Sequence, residues 1–115
     1  MNEPQPLTQL DAIADGGLLE LSAVVDGDAE SLILYREGQQ VHAWLNVCPH
    51  AGRRLDWAPG QFLRGKQGEL VCAVHGASFA LPQGLCVGGA CLGQSLAPVA
   101  LEVRDGAVFL PAGAE

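Results

Sequence analysis

Two short Cys/His pairs constrain this chain more than anything else in it: Cys48-Pro49-His50 and Cys72-Ala73-Val74-His75, with 21 residues between them. Each supplies one thiolate and one imidazole, and a shared inorganic centre would cross-link the two loops that carry them. Such a set holds either zinc or a [2Fe–2S] cluster in which two His replace two Cys on one iron. C-x-H is an uncommon zinc spacing, because structural zinc sites use C-x2–4-C with the His three to five residues apart. The Pro inside the first pair and the Gly after the second (His75-Gly76) favour iron–sulfur. A zinc-stabilised interaction domain is the alternative.

A chain of 115 residues corresponds to one domain, and its 49% apolar residues suffice for a modest core. A metal centre compensates for that modesty, because binding to the folded state adds directly to folding free energy. Fifteen Gly, seven Pro and no helical periodicity point to a turn-rich all-β protein. The formal net charge of −7 argues against nucleic acid, whose binding rests on Lys and Arg. An acidic surface suits transient docking to a basic partner, and equally a plain solubilising role. The N-terminal residues show no basic-then-apolar leader and no apolar run near the ~18 residues that span a bilayer, so no membrane association and a cytoplasmic location are expected. Four Cys in a reducing compartment point to metal or catalysis before disulfides.

The expected order of elements is an extended arm to about Asp11, a strand over 18–25, the turn Asp26-Gly27-Asp28, and a strand over 31–36. A further strand covers 41–46, with Val41, Ala43 and Leu45 on one face. Short strands are expected near 61–63, over 69–71 and over 78–81, with Pro82-Gln83-Gly84 as a turn. The stretch Cys86 to Gly93 is too Gly-rich for regular structure. A closing hairpin spans 99–104 and 107–110 about Asp105-Gly106. Both Cys/His pairs then sit where a strand runs into a loop, the place where rigid scaffolds present ligands.

In order and spacing the four candidate ligands resemble those of Rieske [2Fe–2S] proteins, and the resemblance extends from about Asp15 to Leu110. It implies a Rieske fold of small stacked antiparallel sheets. As a single domain over 1–115, its cluster-binding part would cover about 46–93 and its base sheets about 15–45 and 94–111. It implies one cluster per chain, with Cys48 and Cys72 on the buried iron and His50 and His75 on the outer one. Neutral imidazoles donate less charge than thiolates, so the His-ligated iron accepts the electron and the potential exceeds that of all-Cys clusters. Pro49 stiffens the first loop, and Gly52 and Gly76 permit positive φ or close backbone approach. High-potential members carry a Ser directly after His-Gly and a Tyr two positions on, where this chain has Ala77 and Phe79. They also carry a Cys after each ligand pair, joined as a disulfide, whereas Ala51-Gly52 and Gly76-Ala77 supply none. Both departures place the potential low in the Rieske range and fit a bacterial oxygenase ferredoxin.

The resemblance therefore implies a one-electron carrier. It would pass electrons from a NAD(P)H-dependent flavoprotein reductase to a terminal oxygenase, without being a catalyst itself. The chain shows no Ser/His/Asp arrangement, no phosphate-binding Gly loop and no mononuclear-iron motif, and is too short for an oxygenase catalytic domain. A nitrite reductase small-subunit-like component and a redox- or iron-sensing module are the other readings. Cys86 and Cys91 read as small buried residues beside the cluster, ahead of a disulfide or redox pair. His42 reads as a surface residue, Trp44 and Trp57 as core or rim, and Arg53-Arg54 as makers of ordinary surface ion pairs.

Overall fold

The structure is a computed structural model that describes residues 6–49, 54–72, 76–89 and 91–110. Its regular elements are strands apart from one 3-10 helix of three residues, Leu10–Ala12. The strands are β1 (Thr8–Gln9), β2 (Leu18–Val25), β3 (Asp28–Glu37), β4 (Gln40–Leu45), β5 (Leu63–Arg64), β6 (Leu70–Val71), β7 (Ser78–Ala80), β8 (Leu85–Gly88), β9 (Pro98–Val99), β10 (Glu102–Arg104) and β11 (Ala107–Phe109). They form three sheets, ordered β1-β11-β10, β2-β3-β4-β9 and β5-β6-β7-β8. The chain divides into two compact units, Met1–Ala43 with Val99–Glu115, and Trp44–Pro98.

In the first unit the dominant element is the β2–β3 hairpin, antiparallel from Leu18↔Tyr35 to Val25↔Asp28. Its two-residue turn places Asp26 at φ 51 and Gly27 at φ 86, the left-handed pair that matches the twist of the flanking strands. Asp105 (φ 51) and Gly106 (φ 77) make the same turn between β10 and β11. β3 lies inside its sheet, and its consecutive Leu32, Ile33 and Leu34 are all fully buried. That unbroken apolar run is what a strand covered on both faces requires. β3 begins three residues earlier than expected, because Asp28, Ala29 and Glu30 pair with β2 without an apolar pattern to announce it.

The expected arm is corrected. Leu7 N–H donates to Val108 O (2.7 Å), Thr8 and Gln9 pair with β11, and Leu10 and Ile13 are buried. Arg36 secures the turn by donating from Nη1 to Leu10 O (3.3 Å) and Ile13 O (2.8 Å). A two-residue strand has no readable period, and its partner is some hundred positions away, so local pattern could not reveal it. The expected strand over 99–104 is also corrected: β9 and β10 belong to different sheets. His42 is half-buried, stacks on Tyr35 and lies 3.2 Å from Glu37 Oε1, as a surface histidine would.

In the second unit β6 and β7 pair through Leu70↔Phe79 and Val71↔Ser78, and β5 and β8 flank them. The core consists of Trp44, Leu55, Leu70, Ala77, Phe79 and Leu96 together with all four cysteines. β8 overturns the expectation of irregular chain for Cys86–Gly88, while Gly89 and residues 91–93 lie outside any strand. Cys86 pairs with Phe79 and is buried, while Gly88 faces Ser78, so glycine is tolerated where the neighbouring strand supplies the packing. Gly84 (φ +71) closes the β7–β8 turn, and a Cβ there would lie 2.5 Å from Trp44 Nε1.

Candidate metal centre

β4 ends at Leu45 and leads straight into the first ligand loop. Cys48 is fully buried, with Val47 exposed before it. Asn46 is also buried and ties the start of this loop to its end. Its side-chain oxygen accepts from Leu55 N–H (2.8 Å), and its Nδ2 donates to Asp56 Oδ1 (3.2 Å). The Asp56 carboxylate, itself 1% exposed, also accepts from Arg54 Nε (3.0 Å), Arg54 Nη2 (2.8 Å) and Gly60 N–H (3.1 Å). Four donors converge on one buried carboxylate and tie the described ends of this loop together. Burial alone would raise the Asp56 pKa; the hydrogen bonds from Arg54, Gly60 and Asn46 and the Arg54 charge outweigh it and hold the carboxyl below its ordinary value.

Arg54 is therefore no ordinary surface ion pair, since its partner is buried; Arg53 lies outside the described residues. The Asn46–Asp56 link escaped the sequence reading because Asn and Asp are common in any loop, and nothing local marks two of them as buried partners. Trp44 is core, whereas Trp57 is 61% exposed beside Asp56.

The second ligand loop is closed by backbone. Cys72 N–H donates to Ala77 O (2.7 Å) and Gly76 N–H to Cys72 O (2.9 Å), bracketing residues 73–75. Gly76 adopts φ +73, the left-handed conformation for which glycine was expected there. Cys72 is 1% exposed, and Ala77 and Phe79 are fully buried. His50, His75 and Gly52 lie outside the described residues.

Cys86 and Cys91 lie in the same core, each 1% exposed, as the reading of them as small buried residues had it. The Cys91 thiol donates to Cys86 Sγ (2.8 Å), and Cys86 Sγ to Gly88 O (3.2 Å). Burial first, then Cys86 and the nearby Cys48, push the Cys91 thiol up to about 12. Among the described residues no group of three or more His, Cys, Asp or Glu is placed to hold a metal ion.

What is described fits an iron–sulfur cluster. Cys48 and Cys72 are water-excluded sulfur donors, neither is in a disulfide, and each stands just beyond a strand in a loop closed by hydrogen bonds. The sheets and these two thiol-bearing loops define an all-β iron–sulfur domain. The chain belongs to the Rieske [2Fe-2S] domain family, whose model matches residues 6–103, and with it comes one [2Fe–2S] cluster per chain.

Solved structures agree on the fold. The ferredoxin of carbazole 1,9a-dioxygenase from Nocardioides aromaticivorans IC177 is 22% identical with a TM-score of 0.69, over 95% of this chain and 97% of that one. The terminal oxygenase from the same organism is 24% identical (TM-score 0.69), and that of Novosphingobium sp. KA1 is 21% identical (TM-score 0.72). Each of these matches covers 99% of this chain but 31% of the oxygenase, so the chain spans under a third of those relatives. No curated protein matches the chain.

Proposed function

We propose that this chain is a one-electron carrier whose Rieske cluster is held by Cys48, His50, Cys72 and His75. It takes electrons from a NAD(P)H-dependent flavoprotein reductase and delivers them to a terminal oxygenase, without itself transforming a substrate. The observation that carries the reading is the fold match running along 97% of a dioxygenase ferredoxin, joined to family membership across both ligand loops. The bound cluster supplies a single-electron couple. The chain's own contribution is to hold Cys48 and Cys72 away from water in loops closed by Asp56 and by the Cys72 backbone.

Cys48 and Cys72 held in the core suit this task, since a carrier works best when its ligands need not move between oxidation states. The negative net charge favours rapid, weak encounter with a basic partner surface. The proposal places the protein in the cytoplasm with its partners; no described helix is long and apolar enough to cross a membrane.

The test is absorption and low-temperature EPR spectroscopy of anaerobically purified, dithionite-reduced protein. A red-brown sample with an average g value below that of all-Cys clusters is expected, and substituting His50→Cys or His75→Cys should change that spectrum or abolish the cluster. A colourless, zinc-containing sample free of acid-labile sulfide would end the electron-transfer reading. An unchanged spectrum in either variant would remove that His from the ligand set.

A further inference from the structure

Cys86 and Cys91 lie outside the four proposed cluster ligands, yet their sulfurs face each other at 2.8 Å in the core of the second unit. A disulfide bond is about 2.05 Å long, so the pair stands within an ångström of bonding distance. The backbone around them is already ordered: Cys86 N–H donates to Gln94 O (2.7 Å), Gly93 N–H to Cys86 O (3.1 Å), and Gln94 N–H to Cys91 O (2.8 Å). Gly89, between the cysteines (φ +96), and Gly93, beyond them (φ +88), both adopt left-handed conformations open chiefly to glycine. These hydrogen bonds fix the backbone at both cysteines, so the sulfurs meet without the chain first having to be gathered.

We propose that Cys86 and Cys91 are a redox-active dithiol that closes to an intraloop disulfide in exchange with a small-molecule disulfide such as oxidised glutathione. One cysteine thiolate attacks a sulfur of the small disulfide, breaking its S–S bond and releasing one small thiol. The second cysteine loses its proton and attacks the protein sulfur of the mixed disulfide, forming the Cys86–Cys91 bond and releasing the second thiol. Two protein thiols are oxidised and one small disulfide is reduced to two thiols. Both thiols are 1% exposed, so the exchange proceeds through transient local opening of this loop.

The location gives the bond a consequence. Gly89, between the two cysteines, packs so closely on Ala77 that a Cβ would lie 2.9 Å from its Cα. Ala77 in turn accepts the hydrogen bond that closes the second ligand loop. The dithiol loop is thus braced against the segment that presents Cys72. The proposal does not depend on the electron-carrier reading, because the pair, its spacing and its burial stand without the cluster.

The experiment uses the protein with its cluster, kept anaerobic in buffers of graded reduced-to-oxidised glutathione ratio. It is approached both from fully reduced protein and from protein first oxidised with diamide, with urea below the unfolding range to speed opening, until the two converge. Acid quenching, alkylation and peptide mass spectrometry then read each cysteine. The expected result is a Cys86–Cys91 cross-link, lighter by two hydrogens and reversed by dithiothreitol, with Cys48 and Cys72 alkylated throughout. Four alkylated cysteines at every ratio, or links scattered among Cys48, Cys72, Cys86 and Cys91, would overturn the proposal. In Cys86→Ser protein the cross-link must vanish and glutathione must be found on Cys91; a cross-link to Cys48 instead would equally overturn it.

Discussion

Replacing Asp56 with alanine tests whether the first ligand loop is held by its buried carboxylate. The carboxylate is 1% exposed and accepts four hydrogen bonds, whereas Arg54 is 48% exposed. Once Asp56 is gone the guanidinium can turn to water, so its loss contributes little, as for other half-exposed ion pairs. The cost comes from the buried end of the network: the enclosed Asn46 side chain loses its Asp56 acceptor, at about 1–3 kcal/mol, whereas the N–H of the exposed Gly60 can turn to water. Water entering the vacated space recovers part of this, which leaves about 1–2 kcal/mol.

For a domain of this size roughly 4 °C accompanies each kcal/mol, so the melting temperature should fall by about 4–8 °C. Cluster-loaded protein is to be compared throughout, since a bound group contributes to apparent stability. Hydrogen exchange gives a local reading: the amides of Leu55 and Gly60 should lose protection in Asp56→Ala far more than those of β3. A destabilisation below about 0.5 kcal/mol, the level of a neutral surface change, would refute the argument that this carboxylate closes the loop. Arg54→Ala should be comparably harmful, because it leaves the buried charge with two neutral donors and no counterion.

Three further outcomes are expected. The depressed pKa of Asp56 means its contribution to stability is complete above the unfolded carboxyl value of about 3.9 and disappears as pH falls through the lower folded value; acid titration of stability below about pH 4 should therefore be shallower in Asp56→Asn than in the parent. Redox titration should place the midpoint in the low part of the roughly −150 to +300 mV Rieske span, because the fully buried Ala77 and Phe79 offer no hydroxyl, and a value well above zero would contradict this. Gly84→Ala combines a left-handed φ of +71, costing about 1–2 kcal/mol, with a Cβ driven against the Trp44 indole, costing about 1–3 kcal/mol more. A melting temperature within a degree or two of the parent would show that the Trp44 contact yields freely.

The readable parts of this fold were those governed by neighbours in sequence. Asp-Gly at 26–27 and 105–106 announces its turn because few residues tolerate two successive left-handed positions, and both turns formed. The apolar run in β3 and the strand-to-loop exits before Cys48 and Cys72 were legible from local pattern alone. So was the donor set that pointed to an iron–sulfur family, since ligand type and spacing are properties of the chain itself. What remained hidden depended on distant partners. The pairing of β1 with β11 joins two-residue segments too short to carry a period. β8 is a strand because Phe79 lies opposite Cys86, in spite of its terminal glycine. The Asn46–Asp56–Arg54 closure and the meeting of Cys86 with Cys91 follow from burial that only folding creates, because a polar or sulfur group in a loop acquires its chemistry from whatever the tertiary structure seals in beside it.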